Sequence, residues 1–108
     1  HAPDRCGRTL IFKCAGANNK DALEILLNRG ADVNVRDYAG YSALHEASLQ
    51  GATDAVNTLL AYGAEVNAQD DMGDTPLHDA MANAHQPAAE ALLRYGALLL
   101  KNKKGETP

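Results

Sequence analysis

The chain repeats itself every 33 residues. Asp37-Tyr38-Ala39-Gly40-Tyr41-Ser42-Ala43-Leu44-His45-Glu46-Ala47 and, 33 positions on, Asp70-Asp71-Met72-Gly73-Asp74-Thr75-Pro76-Leu77-His78-Asp79-Ala80 occupy the same steps of one unit. Gly7, Gly40 and Gly73 keep this spacing, with Gly105 following after 32; so do Gly30, Gly63 and Gly96, and the pairs Leu26-Leu27, Leu59-Leu60 and Leu92-Leu93. A period of this length means that each unit is one supersecondary element that buries its apolar face only against its neighbours, so the core comes from stacking. The units run from about 4–36, 37–69 and 70–101, with a truncated fourth at 102–108, and together form a single domain over 1–108.

Within a unit, Thr75 precedes Pro76-Leu77-His78: a hydroxyl able to cap, then Pro at the first helical turn, where its missing N–H is no loss. A first helix starts there. Leu77 and Ala80, like Leu44 and Ala47, are small or aliphatic at helical spacing, which lets this helix lie close against a second. In the middle unit the turn between helices is Gln50-Gly51-Ala52, with Gly51 free to take positive φ, and the second helix carries Ala55, Val56, Leu59 and Leu60 inward. Gly63 ends it. Ala64-Glu65-Val66-Asn67 then runs extended toward the turn-rich Asp70-Asp71-Met72-Gly73, which projects as a hairpin-like finger. The expected fold is all-α, a solenoid of helix-turn-helix units with fingers between them.

These residues carry a resemblance. The period, Thr-Pro-Leu-His at 75–78, the Leu-Leu pairs and Gly-Ala-Asp/Glu-Val-Asn at 30–34 and 63–67 are similar to the ankyrin repeat, and the likeness covers essentially the whole chain. It implies a noncatalytic protein-interaction module whose fingers and first helices line a concave face. By matching unit to unit, Asp37, Tyr41, Glu46, Asp70, Asp74 and Asp79 belong to that face. The resemblance further implies that His45 and His78 are structural, each bonding the hydroxyl of Ser42 or Thr75 and the neighbouring loop backbone. Asn34 and Asn67 are placed where the family bridges adjacent loops, and where asparaginyl hydroxylation is known.

Charge gives the groove a sign. From Asp37 through Leu93 there is no Lys or Arg, while Asp37, Glu46, Asp54, Glu65, Asp70, Asp71, Asp74, Asp79 and Glu90 are acidic. The net charge of -4 therefore understates a segregated field, since all ten basic residues lie outside that stretch. Such a centre repels nucleic acid and attracts a basic peptide or protein surface. Lys or Arg side chains laid along the groove would meet carboxylates at successive units in charge-assisted hydrogen bonds, and Tyr41 offers a ring face to a cation. The plainer alternative is that these acids only solubilise exposed loops.

Other chemistry is not indicated. No HExxH spacing or nucleophile accompanies the histidines, so the reading is no enzyme and no metal site. GxGxxG and GxxxxGK do not occur, so no nucleotide or other cofactor is implied. Cys6 and Cys14 lack a C-x-x-C partner and read as reduced thiols in an intracellular protein, Cys14 at the buried step matched by Ala47 and Ala80. No apolar run approaches the roughly 18 residues of a membrane span. Tyr62 and Tyr95, before the cap glycines, read as packing residues, and His85 as a solvated turn residue.

Several departures from the repeat carry expectations of their own. Phe12 stands at the histidine step of the first unit, where apolar packing replaces the hydrogen bonds, and that unit is expected to be the weakest. Ala84 replaces the glycine of the inter-helix turn and must take positive φ at a cost of about 1 kcal/mol. The span from Arg94 to Gly105 is one residue short, so the finger after Leu98-Leu99-Leu100 should differ in shape. Lys104-Gly105-Glu106-Thr107-Pro108 reads as the opening of a further unit, which points to a longer parent chain and marginal stability for this segment alone.

Within the family, the motifs at 37–47, 70–80 and 102–108 look most like the chromatin-associated branch, such as Tonsoku-like protein, the RING protein that partners BRCA, and ankyrin corepressor subunits. That likeness implies a basic partner such as a histone tail, and a nuclear setting. A cytosolic signalling scaffold and a structural spacer within a larger protein are the alternatives.

Overall fold

The computed structural model describes residues 10–37 and 39–108. The start of the first unit, with Cys6 and Gly7, and Tyr38 lie outside them. Six helices and no strand occur among the described residues: α1 over 10–16, α2 Lys20–Asn28, α3 Ala43–Gln50, α4 Thr53–Ala61, α5 Pro76–Ala82 and α6 Gln86–Arg94. The expected helix-turn-helix units are present. α3 packs on α4 and α5 on α6 within units, while α3 meets α5 and α4 meets both α2 and α6 between units. The stack is thus two rows of helices, the first helices in one and the second helices in the other.

Small residues explain how close the rows come. Ala43, Ala47, Ala55, Ala80, Ala88 and Ala91 are fully buried, and Leu23, Leu44, Leu59, Leu77 and Leu92 fill the space between them. Truncating one of these leucines to Ala would cost about 2–5 kcal/mol, because neighbouring helices cannot collapse into the gap. Cys14 is only half-buried and lies at the edge of this core.

The first helices begin as the sequence predicts. Ser42 and Thr75 have extended backbone, and their hydroxyls accept from the backbone N–H of His45 and His78; Pro76 opens α5. The second helix of the middle unit begins differently. Ala52 caps α4 without a side-chain bond; instead Asn18, in the preceding unit, accepts from Ala55 N at 3.0 Å. Asn18 (φ 58°), Gly51 (φ 70°) and Ala84 (φ 58°) all hold the left-handed turn between helices, as expected for Ala84. His85 is not a solvated turn residue. It is half-buried with its ring over Gly51, where an added Cβ would stand 2.5 Å from it.

Each finger is a tight turn closed by two backbone bonds: Asp37 N to Tyr41 O at 3.0 Å, Asp70 N to Asp74 O at 3.0 Å and Asn102 N to Glu106 O at 2.9 Å, with Gly40, Gly73 and Gly105 N donating back to Asp37, Asp70 and Asn102 O. Fingers are also tied to each other, Asp71 N donating to Ala39 O and Lys103 N to Met72 O, both at 2.9 Å. Gly73 is required twice over: its φ is 79°, and a Cβ there would stand 2.9 Å from Lys103 N. The last finger therefore keeps the shape of the others. The missing residue comes out of the approach, since 97–101 lack the turn present at 33–34 and 66–67. A fixed finger-to-finger bond at the tip forces the shortening upstream.

Tyr62 and Tyr95 do not pack in the core. They are 38% and 47% exposed, because the residue before the cap glycine falls beyond the buried helical stripe. Tyr62 Oη instead donates to Asn28 Oδ1 of the preceding unit at 2.7 Å.

Candidate functional site

The candidate site lies along the first helices and the turns that precede them. Tyr41 stands just before α3, Glu46 in its first turn, Asp79 in the first turn of α5, and Asp70 and Asp74 at the two ends of the finger between. The 33-residue period brings equivalent steps side by side, so carboxylates distant in sequence face one another.

Their hydrogen bonds sort them into two kinds. Asp37 Oδ1 accepts from Ala39 N and Tyr41 N at 2.9 and 3.0 Å, and Asp70 Oδ1 from Met72 N and Asp74 N, both at 3.0 Å. One oxygen of each aspartate thus fixes its finger. Asn102 does the same for the last finger through Lys104 N and Glu106 N at 2.9 Å, a role visible in its position 32 residues after Asp70 and not drawn from the sequence. Asp74 Oδ1 accepts from Asn102 Nδ2 at 2.8 Å. Glu46 and Asp79 are the two carboxylates of this set without a part in finger geometry.

Tyr41 donates its hydroxyl to Glu46 Oε1 at 2.7 Å, and Gln50 Nε2 reaches Glu46 Oε2 at 3.4 Å. The Tyr41 ring, offered by the sequence to a cation, is packed between units: its centroid is 6.4 Å from Phe12 and 5.5 Å from His45. Burial first, then the bond to Glu46 and the charges of Glu46, Asp79 and Asp37 hold its phenol well above the usual tyrosine range. Phe12 takes the apolar role expected of it. The aromatic run itself was not foreseen, because it joins different steps of two units.

Asp79 is the most perturbed group. Its Oδ2 is sealed from solvent without a hydrogen-bond partner. Burial, then the charges of Asp70, Asp74 and Glu46, push its carboxyl up to about 7. Among the described residues the only ion pair is Arg36 with Glu65, at 3.6 Å, so none of the described cations pairs with this cluster. A hollow of about 630 Å³ opens beside it, walled by Asp74, His78, Asp79, Asn102, Lys104 and Glu106 among others.

The histidines have the structural role expected. His45 Nε2 faces Asp74 O at 2.8 Å and His78 Nε2 faces Glu106 O at 2.8 Å. A carbonyl can only accept, so Nε2 carries the proton and Nδ1 must accept, from Ser42 N and Oγ at 3.2 and 2.7 Å and from Thr75 N and Oγ1 at 3.0 and 2.9 Å. Each imidazole thus ties its own helix start to the finger of the next unit. Asn34 and Asn67 bridge loops as expected: Asn34 Oδ1 accepts from Glu65 N and Asn67 Oδ1 from Leu98 N, both at 2.7 Å, while their amides reach Gly63 O and Gly96 O at 3.4 Å. Among the described residues, no three His, Cys, Asp or Glu side chains are placed to hold a metal ion.

Comparison with known proteins agrees with this geometry. A family model described as ankyrin repeats in three copies matches residues 1–70, and a single ankyrin repeat matches residues 72–103. The chain belongs to the ankyrin repeat family. Mouse inversin is 44% identical over 48 residues, 44% of this chain and 4% of inversin. Human ankyrin repeat domain-containing protein 31 is 44% identical over 45 residues, 42% of this chain and 2% of that protein. This ankyrin domain therefore spans a small fraction of the relatives it matches. Ankyrin repeats are, as a class, protein-interaction modules without catalysis, and among the described residues no helix is long and apolar enough to cross a membrane.

Proposed function

We propose that the groove formed by Tyr41, Glu46, Asp70, Asp74 and Asp79 binds a Lys- or Arg-rich peptide or protein surface. One observation carries this reading: four carboxylates from three sequence steps converge on a wall where none of them forms an ion pair with a basic residue among the described residues. A ligand ammonium or guanidinium would supply the missing donors, in charge-assisted bonds roughly twice as strong as neutral ones. Asp37 belongs to the edge of the same wall through Tyr41. The setting we propose is a chromatin or transcriptional complex in the nucleus, with a histone tail as the type of partner. The motif likeness at 37–47 and 70–80 supports this.

Titrating the domain against histone-tail and other Lys/Arg-rich peptides at low and physiological salt tests the reading. Binding should weaken steeply with ionic strength. Glu46→Lys with Asp79→Lys should abolish it while leaving the circular dichroism spectrum unchanged; retained affinity would remove the groove from consideration. A second reading, a scaffold that docks through its end, is favoured by one observation, the 56% and 68% exposure of Leu98 and Leu99. Such a contact would be insensitive to salt.

A further inference from the structure

Resting on the groove reading above, we propose that ligand binding is proton-gated: Asp79 holds a proton in the empty groove, and an entering Lys or Arg side chain displaces it. The O–H bond of the carboxyl breaks, the proton passes to solvent, and the carboxylate left behind pairs with the ligand's cation. No other reactant is needed.

The geometry makes the ionised form of Asp79 costly in the absence of ligand. Its Oδ2 is buried without a donor, so a charge there would be neither hydrated nor hydrogen-bonded. The groups around it supply more negative charge: Glu46 from α3, whose Oε1 is held by Tyr41, and Asp70 and Asp74 from the finger ahead of α5. On its other side lie His78, Lys104 and Glu106, which wall the adjoining hollow with it. Lys104 is the one cation there, and it forms no ion pair with Asp79. The proton is thus the cheapest available neutraliser, consistent with a carboxyl pushed up to about 7. A ligand cation competes with it on equal terms near neutral pH. Affinity should rise by up to about tenfold per pH unit below that value and level off above about pH 8, as linkage requires for one proton released.

Two measurements test the gate. In the free domain, a carbon-13 titration of side-chain carboxyls should show Asp79 titrating near neutrality; an Asp79 signal in the ordinary carboxylate range overturns the proposal. Calorimetry with a histidine-free Lys/Arg-rich peptide, repeated at pH 6 in two buffers of different ionisation enthalpy, should show nearly one proton released, and none for Asp79→Asn. Binding that is independent of pH, or equal proton release from Asp79→Asn, removes the gate and leaves the groove reading standing. Failure of every such peptide to bind at any pH overturns the groove reading and the gate with it.

Discussion

A neutral imidazole at position 45 does three things at once: it receives the Ser42 backbone N–H and hydroxyl, and it donates to Asp74 O in the next unit. Replacing it by Ala leaves that carbonyl and the Ser42 donors without partners, so His45→Ala should lower stability by about 2–3 kcal/mol in urea unfolding. Burial lowers the pKa of His45, so between the unfolded value of about 6.5 and the lower folded value the unfolded chain binds the extra proton. Stability from this group is complete above about pH 6.5 and is lost as pH falls below it; His45→Gln should flatten that acid limb. Asp79 runs the other way. Its folded pKa is raised, so the folded state binds the proton more tightly, and this group's contribution falls as pH rises from about 4 through 7. The histidine role was legible through the ankyrin resemblance, which places the imidazole three residues after a capping hydroxyl. The raised pKa of Asp79 was not, since it comes first from burial and then from the charges of Asp70, Asp74 and Glu46, the last brought from 33 residues away by stacking.

At the scale of the element, the turns between paired helices show where the sequence is informative and where it stops. Gly51 announces a left-handed residue, and Asn18 and Ala84 occupy the same step with the same backbone. Ala84 is strained there, so Ala84→Gly should stabilise the domain by about 1 kcal/mol, read as a raised urea midpoint. Gly51→Ala should do the opposite and more, because its new Cβ would also displace the His85 ring. Neither the His85 contact nor the Asn18 cap on α4 could be read from spacing, because both cross from one unit to the next through side chains that vary between repeats. The shape of the last finger is hidden for a related reason: the short span from Arg94 to Gly105 predicts a finger of different shape, whereas the finger-to-finger bond from Lys103 N to Met72 O preserves it. Glu46 depends on an element as well. Its Oε2 would be 2.7 Å from a Cβ at Gly16, so Gly16→Ala should swing this flexible carboxylate aside and weaken peptide binding while changing the urea midpoint little.

For the whole molecule, the period alone settled the architecture, because a 33-residue helix pair has one way to bury its apolar face: against a copy of itself. The acidic character of the central units was also visible, in the absence of Lys and Arg from Asp37 through Leu93. What stacking adds is direction. Leu60 is buried, whereas Leu93, its counterpart one unit on, is 50% exposed, and Ser48 is buried where Met81 is 52% exposed. Beyond α6 the stack is therefore less protected than around α3 and α4, and hydrogen exchange should be faster in α5 and α6 than in α3 and α4. Appending a further unit there should reverse the order for α5 and α6.

Each histidine bond runs from one unit to the finger of the next, so the units are joined in series. Pulled apart from its two ends, such a chain loads its links one after another, and the ankyrin stack should extend in a sequence of small yielding steps, as a spring does, in place of a single rupture.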